Sequence, residues 1–179
     1  SIYTIGYANS SAKTDPSKPA NLREITGEVV KANVNENDNI VINKKDITND
    51  ATYISYNYEN VTIGLLAVKD SQENTKVVIN TCQSCGGSPY AYFVQVGDKI
   101  QCQNCGSVFS IDELDNLGSN GCNPIGIEDK VEDNDKIIIG TSQLKSLKSK
   151  FETWKGQKNS KPNKNQSPKM IDFFVYKQQ

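Results

Sequence analysis

The stretch CQSCGGSPYAYFVQVGDKIQCQNCG, residues 82–106, decides how this chain folds around its most distinctive feature. It begins and ends with a Cys-x-x-Cys-Gly turn, and sixteen residues separate Cys85 from Cys102. Between the two turns, the runs 90–95 and 99–102 flank Gly97-Asp98, a dipeptide that is typical of a tight β-hairpin. Each arm of this hairpin adjoins one cysteine pair, so the hairpin brings the second turn beside the first.

This spacing predicts one metal site made of Cys82, Cys85, Cys102 and Cys105. Four thiolates about 2.3 Å from one ion lie roughly 3.8 Å from each other, and two residues in a tight turn can deliver that separation. Glycine after each pair tolerates positive φ, so backbone N–H groups can point at the sulfurs. Two disulfides or a redox-active dithiol are the alternatives, but a dithiol needs only one pair and normally opens a helix.

Four thiolates do not by themselves select the metal, because zinc, mononuclear iron and a [2Fe–2S] cluster all accept them. Zinc would make the site structural, whereas iron would make it an electron carrier. The fifth cysteine, Cys122, lies in the run Gly121-Cys122-Asn123-Pro124. We interpret it as a small buried thiol, as an additional or alternative ligand, or as a disulfide partner.

The sequence contains no histidine. This absence excludes Ser-His-Asp and Cys-His catalysis, Cys-x-x-Cys-His haem attachment, mixed Cys/His zinc sites and blue-copper ligation. Asp112, Glu113 and Asp115 follow the second cysteine turn, and we interpret them as a solvated acidic loop. No glycine-rich phosphate loop follows a strand, so we expect no hydrolytic or transferase activity and no small-molecule substrate.

The charge and the apolar runs bear on partners and location. A formal net charge of -1 gives no electrostatic footprint for nucleic acid or for an anionic membrane surface. The longest apolar runs, 61–68 and 170–176, are far shorter than the roughly 18 residues that a spanning helix needs. The chain begins at Ser1 without a methionine, which fits either an N-terminal anchor or signal that was removed or an arbitrary starting point. We expect the first, with an extracytoplasmic protein that is either secreted or membrane-anchored.

The remaining sequence consists of short β-branched and aromatic runs that Asn, Asp and Gly turns interrupt. This pattern predicts a mainly β fold, a small sandwich or barrel that carries the metal-binding hairpin, with a C-terminal helix. Leu144, Leu147, Phe151 and Trp154 recur at helical spacing after Thr141-Ser142, which predicts that the helix packs on the core. Besides the hairpin arms, the predicted strands are 28–34, 39–43, 51–57, 61–68, 76–81 and 136–140.

Composition divides the chain into four parts. The predicted parts are an N-terminal tether at 1–21, a β-rich metal-binding domain at 22–155, a Lys/Asn/Pro/Ser linker at 156–169 and a strand or tail at 170–179. The metal-site subdomain spans about 80–125.

Several motifs in and around the cysteine turns complete a family pattern. They are Gly64-Leu-Leu-Ala-Val-Lys-Asp70, Tyr90-Ala-Tyr92, Gly97-Asp98-x-Ile100-x-Cys102-x-x-Cys105-Gly106-x-x-Phe109, Ile111, Gly121-Cys122-Asn123-Pro124-Ile125 and Asp135-Lys136-Ile137. With them, the stretch from about 38 to 145 resembles a bacterial family of predicted iron–sulfur-containing membrane proteins, a domain of unknown function associated with Ftr-type iron permeases. The resemblance implies a role in iron uptake or electron transfer outside the cytoplasmic membrane, with a membrane iron permease or a redox partner.

A weaker similarity concerns the second cysteine turn. Cys102-x-x-Cys105-Gly106-Ser107-x-Phe109, followed by Asn123-Pro124, is similar to the second metal loop of Rieske domains, with cysteine in place of histidine. This similarity implies two metal-binding loops at the tip of a small β-domain.

Two functions remain open from the sequence. The first is an extracytoplasmic four-cysteine metalloprotein that transfers electrons or handles metal in iron uptake or respiration. The alternative is a non-catalytic surface or accessory module in which a zinc ion stabilises a modest core.

Overall fold

A computed structural model of the chain describes residues 18–118 and 121–157. Within these residues the protein has eleven strands in three sheets and one α-helix. The predicted mainly β fold with a C-terminal helix is therefore confirmed. The predicted final strand or tail at 170–179, most of the predicted linker at 156–169 and most of the predicted tether at 1–21 lie outside the described residues.

The elements alternate between short strands and tight turns. The strands are β1 (Glu28–Lys31), β2 (Ile40–Asn43), β3 (Thr52–Tyr58), β4 (Val61–Lys69), β5 (Thr75–Cys82), β6 (Phe93–Val96), β7 (Lys99–Cys102), β8 (Val108–Ser110), β9 (Pro124–Gly126), β10 (Lys130–Glu132) and β11 (Lys136–Ile139). The helix α1 is Ser142–Ser146, and 3-10 turns lie at Lys44–Asp46, Ile111–Glu113 and Lys148–Phe151.

The largest sheet forms the centre of the described fold. Its five strands have the order β1-β3-β4-β5-β9, in which β1 and β3 are parallel and the other pairs are antiparallel. Side chains alternate between its faces, so Ile63 and Leu65 of β4 enter one apolar cluster while Leu66 and Val68 enter a second. A strand that is buried on both faces has a continuous apolar sequence, which explains the long apolar run at 61–68.

Each face of the central sheet is covered by different elements. The sheet β10-β11-β2 and helix α1 contribute Ile40, Ile137 and Leu144 to the first apolar cluster. The hairpin sheet β6-β7-β8 contributes Phe93 and Ile100 to the second cluster. The predicted hairpin is therefore part of the core, and this packing holds its cysteine turn against the central sheet.

The turn chemistry agrees with the sequence at two hairpins. Val96 pairs with Lys99, and Gly97 has φ 63°, as the first central position of a two-residue hairpin loop requires. Glu59 and Asn60 connect β3 to β4 with φ values of 48° and 64°, the left-handed pair that matches the twist of the flanking strands.

Three strands and the helix differ from the sequence-based prediction. Strands β8, β9 and β10 were not predicted, because each has only three residues and shows no clear alternation. The predicted helix is shorter, since α1 ends at Ser146 and a 3-10 turn follows. Thr141 precedes it without capping it, because its hydroxyl donates to the Asp38 carbonyl at 2.8 Å. Core packing of the helical stripe is confirmed, with Leu144, Phe151 and Trp154 buried.

Candidate metal site

The cysteine turns begin where two strands end. Cys82 is the last residue of β5 and Cys102 is the last residue of β7. Cys82 is paired with Pro124 of β9, and Cys102 is paired with Phe93 of β6. The first cysteine of each pair is therefore fixed by a ladder, whereas the second lies in the following turn.

The four sulfurs that the sequence predicts as ligands converge. Those of Cys82, Cys85, Cys102 and Cys105 all lie within 4.8 Å of one another. The Sγ atoms of Cys85 and Cys102 are 3.7 Å apart, close to the roughly 3.8 Å between two thiolates on one tetrahedral ion. All five cysteines of the chain are free thiols, so the arrangement is not two disulfides. The donor set and its spacing fit a single zinc or iron ion.

Backbone N–H groups point at the sulfurs, as the glycine pattern predicts. The Cys85 N–H donates to Cys82 Sγ at 3.4 Å. In the second turn, burial raises the pKa of the Cys102 thiol, and hydrogen bonding to the N–H groups of Cys105 and Asn104 opposes that rise. Such donors stabilise negative charge on sulfur, so both turns are built to hold thiolates.

The two turns use their glycines differently. Gly106 has φ 76°, the positive value that the sequence predicts. Gly86 is required for space instead, because a Cβ there would lie 2.8 Å from the Cys82 carbonyl oxygen. In the first turn the positive φ falls one residue later, at Gly87, with φ 101°.

Comparison with known proteins supplies the family. The family profile described as "Membrane iron-sulfur containing protein FtrD-like" matches residues 47–151, more than half of the chain. The chain belongs to this FtrD-like family. The matched range contains all five cysteines, and it confirms the resemblance to iron–sulfur membrane proteins. No curated protein and no solved structure matches the chain, so the weaker similarity to Rieske domains gains no support.

The membrane description has no counterpart among the described helices. None of the helices in 18–118 and 121–157 of this FtrD-like chain is both long and apolar enough to cross a bilayer.

The metal-free thiols of the FtrD-like site differ in acidity. Burial, together with hydrogen bonds to neighbouring sulfurs, raises the pKa of the Cys85 thiol, and burial raises that of Cys102 to about 12. Burial opposes ionisation of Cys105 as well. Hydrogen bonding with Ser107, Cys122 and Cys102 outweighs it, however, and lowers the Cys105 pKa to about 7. Four thiolates in one place need a cation, which must displace protons from the buried thiols as it binds.

Two cationic side chains lie beside the cysteine turns, and sequence analysis missed both. Arg23 donates from its backbone N–H to Gln103 Oε1 at 2.7 Å and from Nε to Gln101 Oε1 at 2.9 Å. Lys150 lies against Gly86, with Nζ 3.1 Å from the place that a Cβ would occupy. The one sequence feature that could have drawn attention to Arg23 is that it is the only arginine in the chain.

The fifth cysteine lies at the edge of the site. Cys122 is half-buried and packs against the second apolar cluster, and hydrogen bonding with Cys105 raises the pKa of its thiol. It is outside the group of four sulfurs that lie within 4.8 Å of one another. The structure therefore brings all five predicted cysteines to one place, as a group of four with a neighbour.

The acidic residues after the second turn have structural partners. Asp112 accepts hydrogen bonds from the Ser71 N–H at 2.8 Å and from Ser71 Oγ at 2.7 Å, and both lower its pKa. Asp115 forms an ion pair with Lys76, which also lies 3.7 Å from Asp70. These contacts hold the 111–115 region against the turn between β4 and β5, so Asp112 and Asp115 have structural roles.

Proposed function

We propose that this chain is an extracytoplasmic electron-transfer protein of an iron-uptake system. In this proposal Cys82, Cys85, Cys102 and Cys105 bind one iron ion. The observation that carries the proposal is the convergence of four free thiols within 4.8 Å in a chain of a membrane iron–sulfur family.

The sulfur separations support one ion over a [2Fe–2S] cluster. In such a cluster each cysteine pair binds a different iron, and bridging sulfides hold the two pairs apart. Here sulfurs of different pairs, Cys85 and Cys102, are as close as two ligands of one tetrahedral ion. Iron held by four sulfurs supplies a one-electron redox couple and remains consistent with the family's description.

The surrounding residues suit a site that exchanges electrons without releasing its ligands. Cys82 and Cys102 have no exposed surface, which keeps water from one side of the site. Cys105 is exposed, so a partner can approach the sulfurs from that side. The backbone N–H of Cys85 stabilises negative charge on the Cys82 sulfur.

The family also supports the proposed place and partner. A membrane iron–sulfur protein of an FtrD-like type is expected to work with an iron permease, and a redox partner would deliver or accept its electrons. We place this chain at the outer face of the cytoplasmic membrane, next to such a permease.

Spectroelectrochemistry on the full chain, purified without air and loaded with iron, tests the electron-transfer proposal. We expect one iron per chain, thiolate-to-iron absorption that bleaches on reduction, and full recovery on reoxidation. Zinc-loaded protein is the matched control and must show no redox response. A protein that rejects iron, or binds it without a reversible redox change, would contradict the proposal.

A structural zinc site is the second candidate, and one observation favours it. The cysteines connect the end of β5 in the central sheet to the end of β7 in the hairpin sheet, and Cys82 and Cys102 belong to the second apolar cluster. A zinc ion there would join two layers of the core. This version predicts that chelation unfolds the hairpin sheet, whereas the electron carrier keeps its strand content by circular dichroism after the metal is removed.

A further inference from the structure

The two cysteine turns have almost the same sequence but different surroundings. Each has a glutamine directly after its first cysteine, Gln83 in the first turn and Gln103 in the second. Gln83 is partly exposed, and its side chain forms no hydrogen bond with any residue that the structure describes. Gln103 is only 6% exposed, and both the oxygen and the nitrogen of its side-chain amide are hydrogen-bonded. Tertiary packing therefore distinguishes two turns that the sequence makes alike.

Gln103 joins the N-terminal segment to the second turn. Its Oε1 accepts the Arg23 backbone N–H at 2.7 Å, and its Nε2 donates to the Gln101 carbonyl at 3.0 Å. Its own backbone N–H donates to the Tyr92 carbonyl at 2.8 Å, which fixes the residue on the hairpin. A buried amide that lost one of these partners would have an unsatisfied polar atom, which destabilises the arrangement. These contacts therefore hold the residue next to Cys102 in one orientation.

A second set of hydrogen bonds joins the two ends of the same turn. Arg23 Nε donates to Gln101 Oε1 at 2.9 Å, and Gln101 Nε2 donates to the Gly106 carbonyl at 3.2 Å. Gln101 directly precedes Cys102, and Gly106 directly follows Cys105. The Gly106 N–H in turn donates to the Cys102 carbonyl at 2.9 Å, which closes the turn. Arg23 thus contacts both glutamines that flank Cys102.

Different segments hold the first turn. The Gln83 N–H donates to the Asn123 carbonyl at 2.8 Å, and Thr153 Oγ1 donates to the Gly87 carbonyl at 3.3 Å. Asn123 and Thr153 both follow the hairpin in sequence, whereas Arg23 precedes it. The N-terminal segment therefore contacts the half of the site that supplies Cys102 and the exposed Cys105.

We propose that Arg23, Gln101 and Gln103 are positioning residues that hold the second cysteine turn in its metal-binding geometry and so strengthen metal retention. The inference rests on the metal site of the proposed function and goes beyond it, because it gives the segment before β1 a role at that site. None of the three residues is a ligand in this proposal, and they act through the backbone of 102–106. Ligands that are already fixed lose less conformational freedom when a metal binds, so the contacts favour the bound state.

Competition for zinc between the full chain and a colorimetric chelator, without air, tests this inference. Gln103→Met keeps a side chain of similar length but removes both side-chain hydrogen bonds. We expect it to bind zinc roughly ten- to hundredfold more weakly than the wild type, as loss of a group that orients a ligand does. Gln83→Met is the matched control, because it makes the same change at the equivalent place in the first turn, where no hydrogen bond is lost. It should keep the wild-type affinity.

A second variant and a spectrum separate positioning from a general loss of stability. Arg23→Ala removes the contact with Gln101 but keeps the backbone N–H that Gln103 accepts, so it should weaken zinc binding by a smaller factor. The cobalt(II) absorption of the site reports the arrangement of its sulfurs, and we expect Gln103→Met to shift it while Gln83→Met leaves it unchanged. Urea unfolding of the metal-free variants measures stability independently of the metal.

The possible results are distinct. If Gln103→Met lowers the urea midpoint but keeps the wild-type zinc affinity and cobalt spectrum, the contacts are merely structural and the inference is wrong. If Gln103→Met does not fold, a wild-type zinc affinity in Arg23→Ala overturns the inference, and a weakened one supports it. If the wild-type chain binds neither zinc nor cobalt, the metal-site proposal itself fails, so the two failures can be told apart.

Discussion

Gly86 and Gly106 follow equivalent cysteine pairs, yet each is required for a different physical reason. At Gly106 the backbone has φ 76°, and a Cβ there would meet nothing within 4 Å. At Gly86 the backbone is not left-handed, but a Cβ would lie 2.8 Å from the Cys82 carbonyl oxygen. Gly106 is therefore required for its left-handed backbone conformation, whereas Gly86 is required because there is no space for a side chain.

Substitution by asparagine separates these two reasons. Asparagine adopts left-handed φ more readily than other residues with a side chain, so Gly106→Asn should lower the free energy of unfolding by less than about 1 kcal/mol. Gly86→Asn must displace the backbone of Cys82, and we expect a loss of about 1–3 kcal/mol. Urea unfolding of both variants measures the difference. Equal losses would show that the two turns do not differ as described.

Among the individual residues, sequence could predict the convergence of Cys82, Cys85, Cys102 and Cys105, because turn geometry and one hairpin set their separations. It could not predict the contact between Arg23 and Gln103, since 80 positions separate them and only tertiary packing brings them together. The position of Cys122 against the second apolar cluster has the same origin, because it depends on the pairing of β9 with the end of β5.

At the scale of elements, the segment after α1 closes one face of the central sheet. Trp154 is fully buried and donates from Nε1 to the Ala91 carbonyl at 3.1 Å. Gln157 is also buried, and its Nε2 donates to the carbonyls of Ile54 and Leu65, in β3 and β4. Sequence composition places Gln157 in a linker, but its side chain is part of the core.

This closure depends on a glycine in β4. A Cβ at Gly64 would lie 2.3 Å from Trp154 Cη2, so Gly64→Ala should force the ring or the sheet to move. We expect the variant to lose about 1–3 kcal/mol of unfolding free energy, the usual cost of overpacking. Gly126→Ala is the matched control, since Gly126 lies in a strand of the same sheet and a Cβ there would meet nothing within 4 Å. Similar urea midpoints for the two variants would refute this packing.

A second connection between elements is electrostatic. Asp38, in the loop before β2, forms an ion pair with Lys145 of α1 and accepts a hydrogen bond from Thr141 Oγ1 at 3.1 Å. The hydrogen bond from Lys145, together with its charge and the Thr141 hydroxyl, lowers the Asp38 pKa from its ordinary value of 3.8. The ionised carboxylate therefore stabilises the folded state.

The sign of this shift predicts a pH dependence. Because the folded pKa is depressed, the contribution is complete above the unfolded value near 3.8 and is lost as the pH falls through the folded pKa. Asp38→Asn should lower the urea midpoint at pH 7, and its difference from the wild type should vanish in acid. Asp98→Asn, which removes a carboxylate that is 86% exposed, should change neither midpoint. A difference for Asp38→Asn that persists in acid would contradict the assignment.

The accuracy of the predicted elements follows the strength of their local signals. Strands β3 to β7 were predicted within a few residues, because apolar runs and left-handed turn residues mark their ends. Strands β8 to β10 have three residues each, too few for an alternating pattern to mark them, and β9 also depends on pairing with the distant β5. The helix ends at Ser146, and the 3-10 turn Lys148–Phe151 that follows it buries Phe151.

At the scale of the whole molecule, the candidate metal site lies where two layers meet. The central sheet supplies Cys82 and the hairpin sheet supplies Cys102, and both belong to the second apolar cluster. Composition and turn spacing predicted a mainly β fold with a metal-binding hairpin. They could not predict the order of the central strands or the parallel pairing of β1 with β3, because strand order depends on contacts between residues that are distant in sequence.

X-ray absorption at the metal edge, on the full chain purified and loaded without air, tests the central claim most directly. The account predicts an iron ion with four sulfur neighbours at about 2.3 Å and no second metal nearby. A close iron–iron distance, or a first shell in which nitrogen or oxygen replaces sulfur, would contradict it.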